Sequence, residues 1–462
     1  MSGGEAVQGG NRRGAPVAGE FDLLIVGAGI TGMAMASLAV ARKLAVPGRV
    51  AVIGERPGHA WPGHAWPGDA SPVLESDWDL RVFALSRASQ RVLMLCGIWQ
   101  GLPPDRRCAY ERMSVWESGG GQAWPGQASP GQAWPGGSLT FDCAEIGEPN
   151  LGHIVEGRAL QVECRRAARA AGVVFIDAAL ESVDIGEERV RVSLRDGRHL
   201  QGRLLVGADG TDSTVRRLLG IETAGHTYHQ EALVAHVRTA RPHHQTAWQR
   251  FLPTGPLAFL PLPDGRSSIV WSTTRAEALR LRALDPAAFG VALSEAAGDH
   301  FGACELTTPL ASFPLKLQYA LEYVRPRAVL LGDAAHVVHP LAGQGLNLGL
   351  LDCASLAEVL GDACGPAVAD ADADRGPGRS GACGDLSVLR RYERWRRSEN
   401  LLAAAAMDGL ERLFSAPGVV VSRLRTAGLS AVGRAPGVKR LLARHALGTA
   451  GDIPSFLRGD PG

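Results

Sequence analysis

Four short runs in this chain have residue types and spacings that could do chemistry. The first is Gly27-Ala28-Gly29-Ile30-Thr31-Gly32, set between an apolar run and a helical pattern. Glycines at these intervals allow a tight strand-to-helix turn and clear side chains from the path of a pyrophosphate, which then rests on the positive end of the helix. Glu55 ends the next apolar run, where a carboxylate accepts hydrogen bonds from the ribose hydroxyls of an adenosine. Loop and carboxylate predict a bound dinucleotide, and FAD and NAD fit this much equally well.

The second and third runs are alike. Leu204 to Gly207 reads as a buried strand followed by Ala208-Asp209-Gly210, and Ala328 to Leu331 as another followed by Gly332-Asp333-Ala334-Ala335-His336. Taken singly, each is a common turn tripeptide. The fourth run is His339-Pro340-Leu341-Ala342-Gly343-Gln344-Gly345-Leu346-Asn347-Leu348-Gly349. Pro340 fixes the chain, Gly343 and Gly345 let backbone N–H groups point at a ligand, and a helix is expected to begin near Gly345. Its N-terminus would stabilise negative charge placed against it. His336 and His339 are candidate proton carriers, weighed against a purely structural role.

The elements that must position these runs can be read from periodicity. Strands are expected at 21–26, 49–53, 173–176 and 190–194, and helices at 33–43 and 158–171. Residues 228–272 alternate apolar and polar, with turn signals at 253–256 and 264–265, and predict an antiparallel sheet suited to walling a substrate pocket. From Leu386 the pattern is helical. The fold class expected is α/β: a discontinuous Rossmann-type domain (21–225 and 326–360), a second domain on a mostly antiparallel sheet (226–325), and a helical C terminus (388–462).

Residues 1–20 read as a flexible leader. The stretches 58–72 and 121–137 repeat Trp-Pro-Gly units and, with the Gly, Ala and Asp-rich 361–387, read as loops.

A chain of 462 residues, 45% hydrophobic and 21% charged, with a formal net charge of +1, is ordinary for a globular protein and argues against nucleic acid as a partner. No apolar run is long enough to span a bilayer. The eight cysteines show no C-x-x-C pair and no zinc spacing, and are read as reduced thiols of a cytoplasmic protein.

One dinucleotide loop followed in this order by the turns at Asp209 and Asp333 resembles the aromatic-ring hydroxylases of the flavin monooxygenase superfamily. The His339 to Gly349 run closely resembles the signature of the ubiquinone-biosynthesis ring hydroxylases. The likeness extends from Phe21 to nearly the C terminus apart from the three loops, and is supported by segments 79–86, 151–156, 268–272 and 389–394. It implies FAD as cofactor, held by Gly27, Gly29, Ile30, Thr31, Gly32, Glu55, Arg81, Asp209, Gly210, Gly332, Asp333, Pro340, Gly343, Gln344, Gly345, Leu346 and Asn347. In this likeness Asp333 bonds the ribityl chain and Arg81 contacts the flavin. The sequence departs from the family at Gly157, where relatives carry a polar side chain, which puts any role for Arg158 in doubt.

The resemblance further implies a monooxygenase acting through a flavin C4a-hydroperoxide, with O2 as co-substrate and NAD(P)H or a separate reductase as electron source. A polyprenylated phenol or quinol is the substrate implied, with the best match to C5 hydroxylases of 2-polyprenylphenol. Alternatives are C6 or C1 hydroxylation, a soluble aromatic substrate, or a non-catalytic FAD-binding scaffold in a ubiquinone-assembly complex. Residues 416–450 carry six basic and no acidic residues, and suggest peripheral contact with the inner face of an anionic membrane, weighed against a solvated helical face.

Overall fold

Buried hydrophobic runs form the centre of the first sheet. In the computed structural model, which describes residues 19–54, 78–117, 138–298, 300–338, 344–365, 382–415, 427–428, 431–448 and 451–458, Glu20–Val26 is buried from Phe21 onward and lies between two parallel partners. Such strands need both faces covered, which explains their unbroken Val, Ile and Leu content. The path across the sheet runs Val324–Arg325, Ala328–Leu330, His199–Gly207, Glu20–Val26, Val50–Ile53, Val174–Ile176, and a hairpin of Leu180–Ile185 and Val190–Leu194 is added along His199–Gly207. Helices Ile30–Ala41, Gly157–Ala170 and Gln344–Cys364 cover it.

The register sets the functional edge. Val26 lies opposite both Gly207 and Ile53, and Gly207 lies opposite Leu330. Four parallel strands therefore end at one level, and the next residues in each, Gly27, Gly54, Ala208 and Leu331, share one rim. In open α/β sheets ligands bind beyond the carboxyl ends of the strands.

The second sheet is mostly antiparallel, ordered His336–Val337, Ala311–Ala320, Thr223–Thr239, Ser267–Thr274, Gly255–Pro261, Thr246–Leu252, Arg112–Glu117, Ser138–Asp142. Directly opposed residues in such pairs share a face. Leu233, Ala235, Leu257, Phe259, Ile269 and Trp271 point one way and form a core with helices Arg275–Arg282 and Pro286–Ala297. A small sheet of Val82–Leu85, Gly152–Glu156 and Arg107–Tyr110 joins the two halves.

Three features differ from the sequence reading. Arg112–Glu117 and Ser138–Asp142, expected in the first domain, belong to the second sheet, because Arg112–Glu117 pairs with Thr246–Leu252 and Ser138–Asp142 pairs with Arg112–Glu117; conversely Val324–Arg325 joins the first sheet and His336–Val337 the second, each across the expected boundary at 325. The helix Gln344–Cys364 runs four residues into the stretch expected to be loop, while Leu386–Ser415 begins at Leu386, where the helical pattern was expected to start. Cys364 and Cys383, read as free thiols, are joined by a disulfide with Cα atoms 5.9 Å apart. The other six cysteines are buried and free. Residues 1–18 of the leader, both Trp-Pro-Gly stretches, and residues 366–381 lie outside the described residues.

Candidate functional site

The glycines of the first loop divide the work among themselves. Gly27 has φ +116°, and a Cβ there would lie 2.2 Å from the Ala208 carbonyl oxygen. A Cβ on Gly32 would lie 2.0 Å from the Gly27 carbonyl oxygen, so the helix can sit close to the strand only with glycine there. A Cβ on Gly29 would meet nothing within 4 Å. Gly29 is the N-cap of Ile30–Ala41 and, among the described residues, no side chain caps that end, which suits its N–H groups to an anion.

Across the rim, Gly332–Ala334 forms a single tight turn after Ala328–Leu330. The Asp333 carboxylate is exposed and makes no hydrogen bond among the described residues. Protein nevertheless crowds around it: desolvation raises its pKa, opposed by His336, Arg81 and Lys316. Arg81 is likewise exposed, yet desolvation lowers its pKa against the pull of Asp333 and Asp79. Side chains that water reaches but nearby protein desolvates are suited to the wall of a cleft. The start of helix Gln344–Cys364 opens on the same region, where a Cβ on Gly345 would meet nothing within 4 Å.

Arg81 is held from behind. The Asp79 N–H donates to Glu156 at 2.8 Å, and buried Glu156 is paired with buried Arg106 at 3.1 Å. The Gly157 N–H donates to the Arg81 carbonyl at 2.8 Å, and a Cβ at 157 would lie 2.8 Å from that oxygen. The departure at Gly157 thus has a local reason: a side chain would crowd the Arg81 backbone.

Open glycines, an uncapped helix end, an unbonded carboxylate and an arginine around one cleft suit a dinucleotide whose phosphates, ribityl hydroxyls and anionic ring need those partners. The family model described as an FAD binding domain matches residues 162–370. Over 445 residues the chain is 35% identical to the ubiquinone hydroxylase UbiL of Rhodospirillum rubrum, covering 95% of this chain and 93% of that protein. The chain belongs to the ubiquinone-biosynthesis family of FAD-dependent hydroxylases.

Two further relatives of this hydroxylase are the 3-demethoxyubiquinol 3-hydroxylase of Escherichia coli (32% identical, 81% of this chain and 89% of that one) and the human mitochondrial ubiquinone biosynthesis monooxygenase COQ6 (32%, 78% and 80%). The fold is similar to p-nitrophenol 4-monooxygenase from Pseudomonas putida (TM-score 0.66, 17% identical, covering 93% of this chain and 98% of that one). It is also similar to PqsL from Pseudomonas aeruginosa (0.64, 23%, 89% and 100%).

Several residues expected at the hydroxylase's cofactor have visible tasks elsewhere. The Asp209 carboxylate accepts from Ser213 Oγ and from the N–H groups of Thr214 (2.7 Å) and Val215 (3.1 Å), which caps the helix Thr214–Leu218. The buried Asn347 amide accepts from the Ser86 N–H (2.9 Å) and Ser89 Oγ (2.7 Å) and donates to the Ala84 carbonyl (2.9 Å), stitching the 344–364 helix to the segment after Arg81. Thr31 packs between Gly332 and Gly349 where two helices cross. His336 is buried, with Nε2 donating to Asp352 at 2.6 Å. Gly210 has φ +80° and open space where its Cβ would be. Ile30, Gln344 and Leu346 are partly buried. Glu55, His339, Pro340 and Gly343 fall outside the described residues.

Sequence reasoning missed Arg216, whose guanidinium donates to the carbonyls of Ala334 and Thr211, both at 2.8 Å, and so ties the two Asp-containing turns together. It also missed Asp352 and Arg396. An aspartate inside the apolar run LNLGLLDCASL was a signal that could have been followed; Arg396, one of several arginines in LRRYERWRR, offered none.

Proposed function

We propose that this hydroxylase acts on the ring of a polyprenylated phenol, at C5 of a 2-polyprenylphenol, with NAD(P)H as electron donor and O2 as oxygen source. One observation carries the reading: the face of the second sheet opposite its core bears a group of apolar side chains that remain partly exposed, beside the buried His236, Ser268 and Ser272. Pairing puts Val234, Ala258, Leu260, Val270, Ala311 and Phe313 on the face opposite the buried core, and all six remain partly exposed. At one border Leu260 packs against the buried cluster of Trp78, Cys108, Ile154 and Leu262, as do Val82 and Ala84, just after Arg81. At another, Leu317 packs with Leu348, just after Asn347. An apolar wall flanking the cofactor cleft suits a hydrophobic ring and tail.

Bound and reduced, FAD supplies activation of O2 and transfer of one oxygen atom to the ring. The chain supplies the rest. Gly27 to Gly32 and the N-terminus of Ile30–Ala41 bind the pyrophosphate, Asp333 bonds the ribityl hydroxyls, and the N-terminus of Gln344–Cys364 stabilises negative charge on the ring system. That face of the second sheet excludes water and holds the substrate ring in place. His336, bonded inward, is assigned no proton transfer.

Among the described residues no helix is long and apolar enough to cross a membrane. Helix Pro436–Ala446 exposes Val438, Leu441 and Leu442 beside Arg440 and Arg444, a combination suited to resting on an anionic bilayer that holds a polyprenylated substrate. Replacing these arginines by glutamate is expected to reduce co-sedimentation with anionic vesicles.

The deciding experiment is complementation of strains blocked at each ring-hydroxylation step, with the accumulated intermediate identified. Rescue of the C5-blocked strain alone supports the proposal. Rescue at another position supports the second reading, which the name of the Escherichia coli relative favours. A purified protein whose flavin NAD(P)H does not bleach would point to a separate reductase or to a scaffold.

A further inference from the structure

The most completely buried charge in the described structure lies behind the cofactor cleft. Asp352, with no exposed side-chain surface, sits in the middle of Gln344–Cys364 and accepts four hydrogen bonds. They come from the Gly332 N–H (3.0 Å), His336 Nε2 (2.6 Å), Arg396 Nε (2.7 Å) and Asn400 Nδ2 (3.1 Å). Arg396 also donates to Asn400 Oδ1 at 2.7 Å, and all four side chains are at least 97% buried. A buried carboxylate with both oxygens satisfied is costly to break, because each partner removed leaves an uncompensated polar group.

Two of these donors flank Asp333: Gly332 precedes it and His336 comes three residues later. The other two come from Leu386–Ser415, the long C-terminal helix. That helix grips the same strand end twice more. Tyr392 Oη donates to the Leu330 carbonyl at 3.0 Å, and Glu393 accepts from the Tyr323 N–H at 2.7 Å. The Gly332–Ala334 turn is thus clamped on the side away from the cleft, while on the cleft side the Asp333 carboxylate has no hydrogen bond among the described residues.

We propose that Asp352, Arg396 and Asn400 are positioning residues for the cofactor: through Gly332 and His336 they fix the turn that presents Asp333, so that FAD affinity depends on the C-terminal helix as well as on the glycine loop. The inference rests on FAD occupying the cleft. It assigns the cluster a task that neither its burial nor the hydroxylation chemistry requires.

The test is FAD affinity, measured by flavin fluorescence quenching on the full-length apoprotein, with the visible circular dichroism of the bound flavin as a second readout. Arg396→Met is expected to raise the Kd about tenfold or more and to alter the flavin dichroism. Arg396→Lys, which keeps a cation, is expected to recover most of the loss. Phe289→Leu, in the core of the second sheet, is the control for general destabilisation and is expected to leave both readouts unchanged at a similar fall in thermal midpoint.

A wild-type Kd and dichroism in Arg396→Met overturn the proposal, as does a loss in Phe289→Leu equal to that in Arg396→Met. If Arg396→Met does not fold, Asn400→Ala decides: a rise of about threefold supports the clamp, and an unchanged Kd removes it. Failure of the wild-type protein itself to bind FAD would instead overturn the reading of the cleft.

Discussion

Asp209 and Asp333 lie just past the ends of neighbouring parallel strands, each beside a glycine, and the structure uses them in opposite directions. Both oxygens of Asp209 are bonded within its own turn, to Ser213 and to two N–H groups of Thr214–Leu218. Asp333 is left to the cleft, and its turn is steadied from outside. The difference comes from the residues on the C-terminal side of each aspartate. Ser213 and Thr214 begin a helix whose first N–H groups need an acceptor, whereas Ala334 and Ala335 offer none and lead into the strand His336–Val337. Two similar motifs thus mark one rim, but only their sequels tell which carboxylate is bonded within its own turn.

Substitutions should separate the two roles. The largest effect is expected from Asp209→Ala, which removes the acceptor of three hydrogen bonds and should cost about 2–4 kcal/mol of stability in denaturant unfolding. The folded fraction should bind FAD as before; weakened binding at unchanged stability would erase the contrast. Next comes Asp333→Ala, with FAD affinity about 10- to 100-fold weaker by titration and an apoprotein no less stable.

A pH series sharpens the same point. Because desolvation by the protein around it raises the Asp333 pKa, its carboxylate is lost on acidification earlier than an ordinary one. FAD affinity should therefore begin to fall above the usual carboxylate range, and Asp333→Asn should remove that dependence. The ionised form is the disfavoured one in the apoprotein, so the same substitution should slightly raise its thermal midpoint near neutrality.

Arg216→Met tests whether the two turns are coupled, since that side chain bonds both; about 1–2 kcal/mol of stability and a several-fold loss of FAD affinity are expected together. The smallest effect belongs to His153, remote in role from both aspartates. Desolvation, with Arg107 and Arg87 nearby, holds its pKa down to about 4. The unfolded chain takes up that proton first, so stability is intact above about 6.5 and declines as the pH falls toward 4. His153→Gln should flatten this decline by about 1 kcal/mol, with no change in the pH dependence of FAD binding.

Much of the fold was legible in the amino-acid order. Periodicity located the strands at 20–26 and 50–53 within a residue, because parallel buried strands are written as unbroken apolar runs, and the antiparallel strand at 190–194 by its alternation of buried and exposed residues. Glycine spacing located the loop because close backbone approach admits no other residue. Asn347 was legible as important but not as a stitch, since a polar side chain at a helix start can turn toward ligand or protein with equal ease. Arg396 was not legible at all: its partners lie 44 and 4 residues away, and only the packing of two helices distinguishes it from its exposed neighbours. The second sheet was read from alternation between 228 and 272, but two of its strands come from far upstream, a long-range pairing that local pattern does not encode.

That pairing has a consequence for how the chain can vary. Arg112–Glu117 and Ser138–Asp142 lie antiparallel, with Trp116 opposite Ser138, so the two ends of the intervening Trp-Pro-Gly stretch are pinned side by side at the margin of the sheet. Once its ends are fixed, doubling the length of a loop costs only about 0.6 kcal/mol of closure entropy. On that cost, splicing a reporter domain or an affinity tag between these two strands is expected to leave stability nearly unchanged in denaturant unfolding.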